Sequence, residues 1–92
     1  MKYRIKFSGK AEDDIERLRK SGDLKALKKL AQFYIELESH PRTGTGQVEQ
    51  MKHYANETWS RRITRKHRLV YEIEDNTVTV TVISAYGHYD DK

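Results

Sequence analysis

Three kinds of side chain in this sequence, taken together, have the chemistry to cleave RNA. Glu49 is a carboxylate in a basic stretch, Lys52, Arg61, Arg62, Arg65 and Arg68 are cations close by, and Tyr86-Gly87-His88-Tyr89 lies near the end. Cutting RNA without a metal takes a base for the 2′-OH proton, cations for the charge that builds on the phosphorane, and an acid for the departing 5′ oxygen. Histidine suits the last task because its ordinary pKa of ~6.5 lies near operating pH, and a neighbouring tyrosine can stack on a base. Spacing alone leaves two readings open, cleavage and plain RNA or protein binding. It favours binding, since a glutamate, several arginines and a histidine occur together in most domains.

Other chemistries find less support. The chain has no cysteine, which removes disulfides, thiolate zinc sites and cysteine nucleophiles. Its histidines, at positions 40, 53, 67 and 88, show no HExxH or comparable ligand spacing, so no metal and no cofactor are expected. No G-x-S-x-G elbow is present for a serine hydrolase. Thr43-Gly44-Thr45-Gly46 lacks the lysine of a phosphate-binding loop and reads as a flexible connection between layers.

The elements that must position these residues follow from periodicity. Tyr3, Ile5 and Phe7 alternate as in a strand. Ser8 can cap a helix with a stripe of Ala11, Ile15 and Leu18, with Glu12, Asp13 and Asp14 near its positive end and Asp13/Arg17 and Glu16/Lys20 spaced as i,i+4 pairs. Ser21-Gly22 stops it, and Asp23 caps a second helix whose apolar face comprises Leu24, Leu27, Leu30, Ala31, Tyr34 and Ile35, ending at His40-Pro41. Strands follow at 59–64, 67–74 and 77–85, with Asp75-Asn76 as a hairpin turn. The expected fold class is α+β in the order β-α-α-β-β-β, an antiparallel sheet with two N-terminal helices packed on one face. Ninety-two residues fit a single domain, 1–92, and no run is apolar enough for a signal peptide or membrane span, which suits the cytoplasm.

The net charge of +4 is unevenly spread. Residues 1–38 hold ten basic and seven acidic side chains, residues 39–71 seven and two, and residues 72–92 one and five, balances of +3, +5 and −4. The excess peaks between Trp59 and Arg68, where five Arg and Lys occur without an acid. An open sheet face rimmed by arginines, on a domain too small for a deep pocket, suits something long and shallow such as RNA. Trp59 reads as mainly structural, a large ring at the start of a strand.

Glu49-Gln50-Met51-Lys52-His53, Trp59-Ser60-Arg61-Arg62-Ile63-Thr64, His67-Arg68-Leu69-Val70-Tyr71 and His88-Tyr89 resemble the YoeB/Txe group of bacterial toxins in the RelE superfamily. The resemblance covers about residues 41 to 89; the first 40 match only in their strand-helix-helix layout. It implies a RelE-like fold and a ribosome-dependent mRNA interferase of a type II toxin–antitoxin module, cutting mRNA in the A site of the 70S ribosome by 2′-OH attack. It further implies a cognate antitoxin, acidic and partly disordered when free, and allows a homodimer. By motif, Glu49 corresponds to the general base, Arg68 to the cation on the scissile phosphate and His88 to the general acid. Lys52 and Arg62 match positions of phosphate or ribosomal RNA contact, Tyr89 matches a stacking aromatic, and Arg61 and Arg65 are basic neighbours assigned to ribosomal RNA. One departure is that Val48 and Gln50 flank Glu49, where the family often has stiffening prolines. The alternative is a toxin that binds RNA or the ribosome without cutting, or a gyrase-directed one as in the ParE branch.

Overall fold

The computed structural model describes residues 2–87; His88 and Tyr89 lie outside the described residues. Strand β1 (Arg4–Phe7) is followed by helices α1 (Gly9–Ser21) and α2 (Leu24–Ser39) and by strands β2 (Glu49–Met51), β3 (Thr58–Arg62), β4 (Arg68–Glu74) and β5 (Thr79–Ser84). The sheet runs β1-β5-β4-β3-β2. Both caps form as their residue types require: Ser8 Oγ accepts the Ala11 N–H at 3.0 Å and Asp23 Oδ1 that of Ala26 at 3.0 Å. Gly22 closes α1 in the left-handed conformation at φ 77°.

The sheet is mixed rather than antiparallel throughout. β1 pairs parallel to β5, from Arg4 opposite Thr79 to Phe7 opposite Val82, while the other pairings are antiparallel. No local turn links β1 to β5, and an alternating pattern reads the same in either direction, so the sequence carried no signal for their relative sense. A fifth strand, β2, was also not expected. Three residues are too few to display a period.

Leu69, Tyr71 and Ile73 do share one face, and with Val80 and Val82 they meet Ala11 and Leu18 of α1 and Ala26, Leu30, Phe33 and Leu37 of α2 in one buried cluster. The α2 stripe is thus 26, 30, 33 and 37, flanked by the half-buried Leu27 and Tyr34, not the face expected. Leu24 and Ile35 are exposed, as is Ala31. In α1 Glu16 bonds Arg19 at i,i+3, with Lys20 a further favourable charge on it as expected, and Lys10–Asp14 adds an i,i+4 pair at 2.8 Å.

The rotation of α2 carries Glu36 inward, where it meets Arg61, which is wholly buried. The expectation that Arg61 contacts RNA is therefore corrected. Strand alternation turns neighbouring arginines to opposite faces: Arg61 lies opposite Leu69 on the helix side and Arg62 opposite Arg68 on the open side. All five guanidinium N–H groups have acceptors within the protein. Nε donates to Tyr71 Oη (3.0 Å), Nη1 to Glu36 Oε1 and the Thr45 carbonyl (3.2 Å), and Nη2 to the carbonyls of His40 (3.3 Å) and Thr43 (2.8 Å). Nothing is left to offer a phosphate.

The glycine-punctuated loop is the cover of this pair and not a flexible connection. Thr45 donates both its N–H and its hydroxyl to Glu36, each at 2.9 Å. A Cβ on Gly44 would sit on Glu36 Oε1 and 2.9 Å from Arg61 Nη1, and one on Gly46 would lie 2.6 Å from Phe33 Cζ. Gly44→Ala also has to tolerate φ 127° and is expected to cost about 1–3 kcal/mol, read as a lowered midpoint in urea unfolding.

Burial pushes the Glu36 carboxyl up, but hydrogen bonds from Gln32, the Thr45 N–H and hydroxyl, and Arg61 outweigh it and hold its pKa at about 2. Because the folded value lies below the ordinary 4.5, the stability it contributes is complete above about pH 4.5 and is lost as the pH falls toward 2. A loss on the order of 3 kcal/mol is expected across that window. Thermal melts should show it as a falling Tm, with a shallower fall in Glu36→Gln.

Candidate nucleic-acid interface

On the face of the sheet away from the helices, register alone gathers the candidate residues. Glu49 of β2 pairs with Ser60 of β3, Ser60 with Val70 of β4, and Arg62 with Arg68. Residues two apart on a strand point the same way, so Glu49, Ser60, Arg62, Arg68 and Val70 form one patch. Arg68 Nη1 lies 3.6 Å from Glu49 Oε1 and donates to Ser60 Oγ at 3.3 Å. The Arg68 side chain is only 16% exposed and that of Glu49 65%, so the cation is held against the sheet while the carboxylate stands open to solvent. A loose, half-exposed ion pair contributes about 0–1 kcal/mol to stability. It leaves both groups available to a third, charged one.

Ser60 is a participant the sequence reading passed over. It sits in W-S-R-R two residues from Arg62, and that spacing on a strand is the signal that places it on the same face. A register shift between Val70 and Tyr71 lies beside the patch, where β4 at Val70 faces Ser84 and at Tyr71 faces Val82. Such bulges bend a strand and re-aim the side chains next to it.

The other expected contacts sit at the margins. Arg62 is half-buried, with Nε on Gln47 Oε1 at 3.0 Å and Nη1 on the Arg65 carbonyl at 3.4 Å. Arg65 is exposed in the connection between β3 and β4, which Thr64 closes by accepting the N–H groups of Lys66 and His67, each at 3.1 Å. Lys52 is exposed just past the end of β2, three residues or ~10 Å of strand from Glu49 and on the side away from Arg62. Trp59 is half-buried against the core, its indole N–H on Glu57 Oε2 at 2.8 Å. Arg42 holds the Glu57 carboxyl below the usual carboxylate range. Among the described residues no three His, Cys, Asp or Glu come together as a metal site.

Gly87 closes the described chain beside Arg68: its carbonyl accepts the Arg68 N–H at 3.2 Å and its N–H donates to His67 Nδ1 at 2.8 Å. The open face thus holds a cation bonded to a serine, a solvent-open carboxylate across from it, and the last described residue bonded to the backbone of Arg68. Residues 7–89 match the family described as YoeB-like toxins of bacterial type II toxin–antitoxin systems. The chain belongs to this family. The Toxin YoeB of Escherichia coli (strain K12) is 36% identical over 58 residues, 63% of this chain and 69% of its own length.

Solved structures agree with the YoeB assignment. The YoeB/ParE toxin from Agrobacterium tumefaciens superposes with a TM-score of 0.83 at 28% identity, covering 94% of this chain and 99% of the other. The YoeB dimer from Staphylococcus aureus gives 0.80 at 30%, covering 97% and 100%. The heterotetrameric YoeB–YefM toxin–antitoxin complex from the same organism gives 0.76 at 29%, again covering 97% and 100%. The α+β fold is that of these YoeB structures, and the family match carries the reading of the chain as a toxin. No helix among the described residues is long and apolar enough to cross a membrane.

Proposed function

We propose that this YoeB-family protein, one toxin domain over residues 1–92, is a metal-independent endoribonuclease that cuts mRNA in the ribosomal A site. The observation that carries the reading is the pairing of the open Glu49 carboxylate with the serine-held Arg68, 3.6 Å apart on one sheet face. Glu49 takes the proton from the 2′-OH, and the freed oxygen attacks the adjacent phosphorus. Arg68 neutralises the charge that grows on the non-bridging oxygens. His88 gives its proton to the departing 5′ oxygen, leaving a 2′,3′-cyclic phosphate and a 5′-hydroxyl. Tyr89 stacks on a base, while Lys52, Arg62 and Arg65 meet phosphates of mRNA or ribosomal RNA.

A shallow patch does not orient a flexible strand by itself, and an RNA already held in a ribosome spares the domain that entropic cost. The cytoplasm is where such a substrate is found. The YoeB–YefM assembly supports a cognate antitoxin as partner, an acidic and partly disordered segment that covers the basic face, and the YoeB dimer supports self-association. Glu49→Gln tests the base: single-turnover cleavage on programmed ribosomes should fall about 10²–10⁴-fold with ribosome binding retained. Undiminished cleavage would remove Glu49 from the mechanism, and arrested translation with full-length mRNA would favour a non-cleaving toxin.

A further inference from the structure

Glu49 stands on a short strand with support from one side. β2 is three residues long and is the last strand of the sheet, so among the described residues it pairs with β3 alone. Its neighbours are Val48 and Gln50, and neither has the ring that would fix its own φ. Met51 is buried and anchors the far end of the strand. The near end, where the carboxylate sits, depends on the turn at Gly46 and Gln47.

Both residues of that turn have left-handed backbones, at φ 90° and 52°. Gly46 is pressed against the core, since a Cβ added to it would lie 2.6 Å from Phe33 Cζ. Gln47 is exposed, and a residue with a side chain is uncommon at its φ. Arg62 of β3 holds both. Its backbone N–H donates to the Gly46 carbonyl at 2.6 Å and its Nε to Gln47 Oε1 at 3.0 Å, while Nη1 reaches the Arg65 carbonyl at 3.4 Å. One residue thus grips the turn through backbone and side chain, with its guanidinium tied to the connection between β3 and β4. Glu49 comes two residues after Gln47 and pairs with Ser60, two residues before Arg62.

We propose that Gln47 is a positioning residue for the general base: by accepting from Arg62 Nε, its amide keeps the start of β2 where Glu49 lies across from Arg68. This rests on the proposed function, in which Glu49 takes the 2′-OH proton. A surface hydrogen bond to a charged group shifts an equilibrium between two placements by about tenfold, and a base out of place adds nothing to the rate.

The test is single-turnover cleavage on programmed ribosomes by a set of variants. Gln47→Leu keeps the bulk of the side chain and removes the acceptor, and Gln47→Gly removes it while taking up the left-handed φ freely. Each should cleave about 10-fold more slowly, with ribosome binding and Tm close to wild type. Gln47→Glu, which keeps an acceptor on a stem of the same length, should stay within about threefold of the wild-type rate. The deciding comparison is made with Glu49→Gln already present. There Gln47→Leu should have no further effect, because residues that act through one group do not add.

Wild-type rates in Gln47→Leu or Gln47→Gly, a loss as large in Gln47→Glu, or the same tenfold loss in the Glu49→Gln background would overturn the positioning role. Glu49→Gln alone separates this from failure of the underlying reading. If it cleaves at the wild-type rate, Glu49 is not the base and the role of Gln47 falls with it; if it is slow and Gln47→Leu is not, the base stands and only the positioning role falls.

Discussion

Arg68→Ala is expected to lower single-turnover mRNA cleavage by about 10²–10³-fold, the cost of deleting one charge-stabilising donor from a preorganised site. The fold should survive it. Among the described residues its polar partners are Glu49, itself well exposed, and the Ser60 hydroxyl, so the loss of these interactions costs about 1 kcal/mol or less and Tm should move by no more than roughly 8 °C on their account. Arg68→Lys should recover part of the rate. A lysine supplies the charge but not the planar fork that reaches Ser60 and a phosphate together. A variant that cleaves normally would show that the phosphate is stabilised elsewhere.

Arg61→Ala, seven residues away in a run of basic residues, is expected to do the opposite. It leaves Glu36 buried without its counter-charge and frees the carbonyls of His40, Thr43 and Thr45, so the cost is that of breaking a buried pair, about 3–5 kcal/mol. Against a total of about 5–15 kcal/mol for a small domain that is a large share, and Tm should fall by roughly 15–30 °C. Removing Glu36 together with Arg61 should restore only part, since the loop carbonyls remain unpaired. A double-mutant cycle in urea measures the coupling. An Arg61→Ala protein with unchanged Tm and weakened ribosome binding would return Arg61 to the surface.

The contrast between these two arginines shows what the chain discloses directly. The caps at Ser8 and Asp23, the stop at Gly22 and the alternation in β1, β3, β4 and β5 are local signals, and they placed both helices and four of the five strands. Alternation was equally present at Trp59, Arg61 and Ile63, and it turns Arg61 inward; a basic cluster read as a cluster hid it. Glu36 and Asp14 were invisible for another reason. A buried acid is identified by partners distant along the chain, here Arg61 and Thr45 for one and the amides of Ala85 and Tyr86 for the other. The β1–β5 direction and the three-residue β2 likewise depend on long-range pairing. Glu49 and Arg68 were legible from their motifs, whereas their closeness depends on β2 joining β3 in the register that sets Glu49 beside Ser60.

The most direct test is to map mRNA ends by primer extension after incubating a translated message with the purified protein, with and without ribosomes. The account predicts discrete cuts with 2′,3′-cyclic phosphate ends that require ribosomes and disappear in Arg68→Ala. Full-length message under arrested translation, or cuts that persist undiminished in Arg68→Ala, would contradict it.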